Sequence, residues 1–261
     1  HDDLSLPLGR TILLPIDMQE EHRIDARYLV EGYDRVLANA AALLDAARTS
    51  GVRVLHAGFR RDFTRVPPRP FEPVASDGTP IFSDPDLPGC AICPEVAPHP
   101  GEDVLWKNDL SCFSESGFDQ MLGHPDWLVI CGVWAEACVA ATIRDAVARG
   151  IHVLLVKDAV GSGTADMQKS AVINLANRLY GGAVCDTDTA AALLSAEGAH
   201  RRTMLSLTAA TMPPYVSAAT PPEACAMPSA GKWKPAAKPP LGTTVISATA
   251  GTASRPCTTC L

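Results

Sequence analysis

The sequence lacks the features that mark several large classes of protein. No apolar run reaches the roughly 20 residues that a membrane-spanning helix needs, which argues against a membrane protein. Aromatic residues make up only 5% of the chain, and its formal net charge is -7. Because an acidic chain repels phosphates, a general nucleic-acid binder is not expected. We find neither a phosphate-binding glycine motif nor an internal repeat.

Hydrophobic residues, by contrast, are plentiful. They form 47% of the 261 residues, against 20% charged residues, so a sizeable core can form. The nine cysteines are spread too widely for a small disulfide scaffold. Cys131 and Cys185 lie inside apolar stretches, where a free cysteine acts as a small buried hydrophobe. This usage predicts a reducing, cytoplasmic setting.

The composition changes sharply near residue 200. Residues 201–261 hold six Lys or Arg, one acid and nine of the 22 prolines, with much Ala, Thr and Ser. Such text cannot bury enough apolar surface to offset chain entropy. We therefore predict a folded domain over 1–200 and an extended or disordered basic tail over 201–261.

Two patterns alternate along the first 200 residues. Short apolar runs predict strands, and longer amphipathic stretches predict helices. The strands are expected at 11–16, 52–59, 103–107, 127–133, 151–160 and 183–186, and the helices at 30–51, 135–150, 165–181 and 188–196. Nearly unbroken apolar strands separated by helices indicate a parallel sheet covered on both faces, which is a three-layer α/β/α sandwich.

Three reactive side chains follow predicted strands. Asp17 comes after the first strand, Lys107 ends the third, and Cys138 follows the fourth at the start of a helix. Because the carboxyl ends of parallel strands meet at one edge, these groups can converge. A thiolate is a nucleophile, a carboxylate can take its proton, and a lysine can stabilise both charges. Taken singly, each residue also has a purely structural reading, as a core thiol, a turn residue or a solvated strand end.

Three segments carry a family resemblance. "LLPIDMQ" at 13–19, "KNDLSCF" at 107–113 and "GVWAEACV" at 132–139 resemble, in order and spacing, the signatures of the isochorismatase-like cysteine hydrolases. That family includes nicotinamidases, N-carbamoylsarcosine amidases, and ureidoacrylate and biuret hydrolases. The resemblance covers about residues 10–195. It implies a six-stranded, mostly parallel sheet flanked by helices.

The resemblance also implies roles for particular residues. The catalytic triad would be Asp17, Lys107 and Cys138. A cis peptide bond would join Val133 to Trp134, and the oxyanion hole would be the N–H groups of Trp134 and Cys138. Substrate is expected to contact Gln19, Phe113 and Trp134, and the aromatic faces of the latter two suit a planar compound. Independently of the resemblance, Arg60 or Arg61 has the fork geometry to grip a substrate carboxylate, with a solvated surface position as the alternative.

Some positions depart from the family pattern. Ala135 stands where the amidases commonly carry threonine. In having alanine there, the turn resembles that of true isochorismatases, which cleave a vinyl ether without a thiol. His22 replaces a phenylalanine, and either a pocket or a surface position is open to it. Nicotinamidases bind a metal through Asp-x-His after the second strand, but the matching residues here are Gly58 and Arg60. We therefore expect no metal and no cofactor.

Two CxxC pairs, Cys90/Cys93 and Cys257/Cys260, have a zinc-ligand spacing, but they lie far apart in the sequence. We interpret them as incidental. The leading prediction is a cysteine hydrolase that cleaves a C–N bond of a small amide or ureide and assembles as a homo-oligomer, a dimer or tetramer. Two alternatives stay open: a vinyl ether hydrolase that does not use the thiol, and a catalytically silent member that serves assembly or binding.

Overall fold

The computed structural model describes residues 4–195. The predicted tail at 201–261, with Cys257 and Cys260, lies outside the described residues. No helix within residues 4–195 is both long enough and apolar enough to cross a membrane.

One six-stranded sheet forms the centre of the fold. Its strands are β1 (Thr11–Ile16), β2 (Arg53–Phe59), β3 (Asp103–Lys107), β4 (Trp127–Gly132), β5 (His152–Val160) and β6 (Ala183–Cys185). They lie in the order β3-β2-β1-β4-β5-β6. All five neighbouring pairs are parallel. The predicted fold class is confirmed, with an entirely parallel sheet.

Helices cover both faces of the sheet. They are α1 (Glu21–Ile24), α2 (Tyr33–Ser50), α3 (Phe118–Leu122), α4 (Ala140–Ala148), α5 (Ala165–Ala176) and α6 (Thr187–Ser195). The helix α2 ends where predicted, at Gly51, which takes the left-handed conformation with φ +72°. The sequence did not predict α1 and α3, since four and five residues are too few to display a helical period.

The apolar residues divide into two layers, because successive strand side chains point to opposite faces. On β1, Leu13 belongs to the layer under α2 and α6. Its neighbours Ile12 and Leu14 belong to the layer under α3, α4 and α5. The sheet is thus buried on both sides, as its continuous apolar strands require.

The chain reverses its direction of winding at the centre of the sheet. β1 pairs with β2 on one side and with β4 on the other. In open α/β sheets, ligands bind outside the carboxyl ends of the strands at such a point. Asp17 follows β1, and Cys138 follows β4, so both lie at this position.

Candidate active site

Asp17 lies directly beyond β1, in an uncommon backbone conformation. Its φ is +52°, in the left-handed region that few residues other than glycine adopt. Its N–H donates to the Ala57 carbonyl at 2.8 Å, so the turn is tied to β2. The side chain is only 3% exposed. A buried carboxylate requires a partner, which is supplied by Lys107.

Lys107, the last residue of β3, reaches Asp17 across the end of β2. Its Nζ donates to Asp17 Oδ2 at 2.7 Å, and it passes 4.6 Å from the centre of the Phe59 ring. The lysine side chain is fully buried. Burial alone would lower the pKa of Lys107, but the negative charge and hydrogen bond of Asp17, together with the Cys138 and Cys112 sulfurs, outweigh it, and the pKa is raised. The ammonium therefore stays protonated.

Gly132 brings the end of β4 against the end of β1. A Cβ atom at this position would lie 2.1 Å from the Ile16 carbonyl oxygen, and the φ of +118° is one that other residues rarely adopt. The next residue, Val133, donates its N–H to the same oxygen at 2.9 Å. This close approach puts the segment that carries Cys138 beside Asp17.

Cys138 lies in a π-helical turn, Ala135–Val139, that leads into α4. The N–H of Val139 donates to the carbonyl of Trp134 at 3.2 Å, five residues back. The sequence predicted one regular helix from residue 135. The Ala135 N–H donates to the Gly161 carbonyl at 2.8 Å, which holds the start of the turn against the end of β5. Such π turns occur frequently at functional sites.

The charges around Cys138 act in opposite directions. Burial raises the pKa of the Cys138 thiol and the Asp17 carboxylate raises it further, while the Lys107 ammonium acts to lower it. The pKa is raised overall, so the resting group is a thiol. The second oxygen of the carboxylate, Asp17 Oδ1, is buried and has no hydrogen-bond partner among residues 4–195.

A cavity of about 370 Å³ opens over these groups. Asp17 and Cys138 lie on its wall, and most of its remaining surface is apolar or aromatic. It is further lined by Glu21, His22, Arg27, Tyr28, Phe59, Arg69, Phe82, Ser83, Leu110, Trp134 and Ala137. Tyr28, Phe82 and Leu110 come from loops, and no pattern in the sequence marked them.

Trp134 lies where it was predicted, on the cavity wall. The peptide bond between Val133 and Trp134 is cis. The Trp134 carbonyl accepts hydrogen bonds from the Ala137 and Val139 N–H groups, whereas its own N–H donates to no protein acceptor within the described residues.

Three of the residues predicted to contact substrate do not line this cavity. Gln19 is fully buried, and its amide bonds the backbone N–H and carbonyl of Phe59 and the carbonyl of Cys90 at 2.7–2.9 Å, so it joins β1 to β2 and the following loop. The guanidinium of Arg60 lies 3.4 Å from the centre of the Trp106 ring, and its Nε is buried without a hydrogen-bond partner among residues 4–195.

Phe113 is the third predicted contact outside the cavity lining. Its ring packs edge-on against Phe118 at 4.8 Å and lies 4.1 Å from the Arg149 guanidinium. These contacts place it in the apolar layer near α3, away from the cavity. Leu110, from the same motif, lines the cavity instead.

The first CxxC pair lies in the protein interior and does not line the cavity of the candidate site. Cys90 and Cys93 are buried free thiols, and burial raises the pKa of each to about 11. Cys93 lies near the carboxylates of Glu20 and Glu95, a set with metal-ligand chemistry. Both carboxylates, however, are already paired with Arg23, at 2.5 and 2.7 Å. Gly58 and Arg60, the positions matched to a nicotinamidase metal site, offer no ligand atom suited to a metal.

Comparisons with known proteins agree with this architecture. The isochorismatase domain family matches residues 11–189. The chain is 29% identical over 200 residues to ureidoacrylate amidohydrolase RutB of Azorhizobium caulinodans, a match that covers 67% of this chain and 86% of that enzyme. It is 27% identical over 187 residues to maleamate amidohydrolase of Pseudomonas putida, covering 67% and 83%.

Solved structures show the same likeness. An isochorismatase family protein from Desulfovibrio vulgaris superposes with a TM-score of 0.64 and 25% identity, over 72% of this chain and 99% of that one. Fold and site define an α/β enzyme with its reactive groups at the carboxyl edge of a parallel sheet. The protein belongs to the isochorismatase family of hydrolases.

Proposed function

We propose that this protein hydrolyses a C–N bond of a small amide or ureido compound, with Cys138 as nucleophile. The observation that carries the proposal is that Cys138 and Asp17 line one cavity, with Lys107 bonded to Asp17 Oδ2 and Asp17 Oδ1 unpartnered among the described residues. The amidohydrolase names of the two curated relatives support a C–N bond as the target.

The reaction proceeds in two halves. Asp17 Oδ1 accepts the thiol proton as the Cys138 sulfur attacks the substrate carbonyl carbon. The C–N bond breaks while Asp17 returns that proton to the leaving nitrogen, and a thioester or carbamoyl-thiol intermediate remains. Asp17 then takes a proton from water, whose oxygen attacks the acyl carbon. The C–S bond breaks and Asp17 returns the proton to the departing Cys138 sulfur, which releases the acid and regenerates the thiol.

Lys107 stabilises charge in both halves. Its ammonium holds the Asp17 carboxylate through Oδ2 and leaves Oδ1 for proton transfer. Its positive charge also opposes the effect of burial on Cys138, so the thiolate is stabilised as it forms. The backbone N–H groups of Trp134 and Cys138 serve as the oxyanion hole. An oxyanion that receives such donors in a dry site is strongly stabilised.

The cavity favours a flat substrate. Its walls include the rings of Tyr28, Phe59 and Trp134. The two arginines at the cavity have carboxylate partners, Arg27 with Asp25 at 2.6 Å and Arg69 with Asp109 at 2.7 Å. Both arginines are about half exposed, so a carboxylate on the substrate would compete with these partners for the guanidinium groups.

Two further predictions accompany this function. We expect a homo-oligomer, which sedimentation velocity would measure. We also expect a reducing, cytoplasmic location, with which the six buried and unpaired cysteines of the described region are in accord.

The test is ammonia release from a panel of small carboxamides and ureides, with wild type and Cys138→Ala compared in EDTA. We expect EDTA to leave wild-type activity intact and Cys138→Ala to lower it at least about a thousandfold. Cys131→Ala is the matched control, because Cys131 is an equally buried thiol on the opposite face of the sheet. Equal activity of Cys138→Ala and wild type, on any amide or on isochorismate, would refute the thiol mechanism.

A further inference from the structure

His22 occupies a position between the two halves of the site. It belongs to α1, is 6% exposed, and lines the cavity together with Asp17 and Trp134. Its Nδ1 lies 3.3 Å from the indole Nε1 of Trp134 and 3.2 Å from the carbonyl oxygen of Tyr28. The Asp17 carbonyl also faces the ring and acts to raise the pKa of His22.

The Trp134 contact requires one tautomer, because Nδ1 lies between a donor and an acceptor and can serve only one of them. An indole N–H only donates, so Nδ1 must carry a lone pair to accept it. The proton of the neutral ring then resides on Nε2. With the proton on Nδ1 instead, the ring would donate to the Tyr28 carbonyl, and the indole N–H would lose its acceptor.

We propose that His22 is a positioning residue: its neutral Nε2–H form accepts the Trp134 indole N–H and holds that ring at the cavity wall. The inference rests on the proposed function, since Trp134 carries one of the two oxyanion donors there. It concerns a side chain that the resemblance described above does not supply, because a phenylalanine at this position would have no acceptor.

The packing of Trp134 explains why one hydrogen bond matters. The ring meets His22 edge-on at 6.2 Å, and on another side it packs against Gly163, where a Cβ atom would lie 3.0 Å from it. This packing limits how far the Trp134 ring can tilt, but it includes no polar contact that fixes the orientation of the ring. The hydrogen bond from Trp134 Nε1 to His22 Nδ1 fixes that orientation.

Protonation of His22 should break this arrangement. The imidazolium donates from both nitrogens, so Nδ1 turns from the indole to the Tyr28 carbonyl. Burial lowers the pKa of His22, partly opposed by the negative charge of Glu21, so the neutral ring persists at neutral pH. The other titratable or charged groups around the ring are Asp17, Arg23, Arg27, Glu31, Tyr33, Asp34, Arg35 and Cys138.

Indole fluorescence tests the contact without any substrate, because a nearby imidazolium quenches an indole. All proteins carry Trp127→Phe, because Trp127 lies 5.0 Å from the ring of a second histidine, His152. In this background, the otherwise wild-type protein is titrated from pH 8 to pH 4 and compared with His22→Gln, His22→Phe and Trp134→Phe. We expect an acid-induced change in wild type that is absent from all three variants. Its persistence in Trp134→Phe or in His22→Phe would overturn the proposal.

Kinetics separates positioning from mere packing. His22→Gln keeps an acceptor oxygen and is expected to keep kcat within about threefold of wild type. His22→Phe keeps the ring but not the acceptor, and kcat is expected to fall about tenfold, the effect of one lost hydrogen bond, with a smaller change in KM. Equal losses in both variants, or none in His22→Phe, would contradict the proposal.

The two proposals can fail separately. Amide turnover that survives Cys138→Ala would defeat the thiol mechanism and leave the fluorescence result standing. A normal triad phenotype with a pH-independent indole signal would defeat only the role of His22.

Discussion

Removing the ammonium of Lys107 is expected to destabilise the fold as well as to abolish activity. Lys107→Met keeps the length and volume of the side chain but leaves the buried Asp17 carboxylate without its counter-charge. Breaking one side of a buried ion pair costs about 3–5 kcal/mol. Because Asp17 also borders a cavity that water can enter, we expect the lower end of that range, about 3 kcal/mol.

For a domain of this size, 1 kcal/mol corresponds to about 2–4 °C in Tm, so Tm should fall by roughly 6–12 °C. The informative partner is the double variant Asp17→Asn/Lys107→Met, which carries neither charge. Its free energy of unfolding should return to within about 1 kcal/mol of wild type, since two matched neutral groups avoid the desolvation cost. It should nevertheless be inactive, because no base remains.

Urea unfolding followed by circular dichroism measures these differences. Lys157→Met, on the half-buried part of β5, is the control for exchanging a lysine for methionine. The electrostatic reasoning would be refuted if the free energy of unfolding of Lys107→Met lay within about 1 kcal/mol of wild type. It would also be refuted if Asp17→Asn/Lys107→Met were no more stable than Lys107→Met.

Two further predictions concern the scaffold. Gly132→Ala forces a Cβ atom onto the Ile16 carbonyl and should lower the free energy of unfolding in urea by at least about 3 kcal/mol. Gly117→Ala is the control, since Gly117 has open space around it, and should lower it by less than about 1 kcal/mol. Similar losses in the two variants would contradict the close approach at Gly132. Burial would raise the pKa of Glu102, but hydrogen bonds, above all from Arg48, lower it to about 2. Since that pKa lies below the unfolded value, its stabilisation is complete above about pH 4.5 and is lost as the pH falls toward 2. Glu102→Gln should flatten the decline in unfolding free energy between pH 5 and 2.5, and an unchanged slope would disprove this assignment.

The sheet and the long helices followed from local patterns. Unbroken apolar runs such as 127–133 specify strands buried on both faces, and the apolar side of 30–51 together with Gly51 specifies α2 and its end. The convergence of Asp17, Lys107 and Cys138 followed from topology, because strands in one parallel sheet bring their carboxyl ends to one edge.

Details that depend on distant partners could not be read in this way. Arg61, for example, is wholly buried because Glu72 and Asn108 bind it, and nothing near Arg61 in the sequence announces Asn108. Phe113 was assigned to the pocket from its motif, yet the motif does not say which way the side chain points. The turn at Ala135–Val139 is tied through Ala135 to Gly161, which follows another strand and lies far from it in the sequence.

The central pairing of β1 with β4 also has a consequence for biosynthesis. Asp17 is synthesised well before its neighbouring strand is complete, because that strand ends only at Gly132, with Cys138 after it. More than a hundred residues must therefore be made between the two side chains, and their long-range contact must wait for loop closure. A nascent chain that stops short of this strand has Asp17 but not its neighbour Cys138. The candidate site is complete only when the two halves of the sheet join.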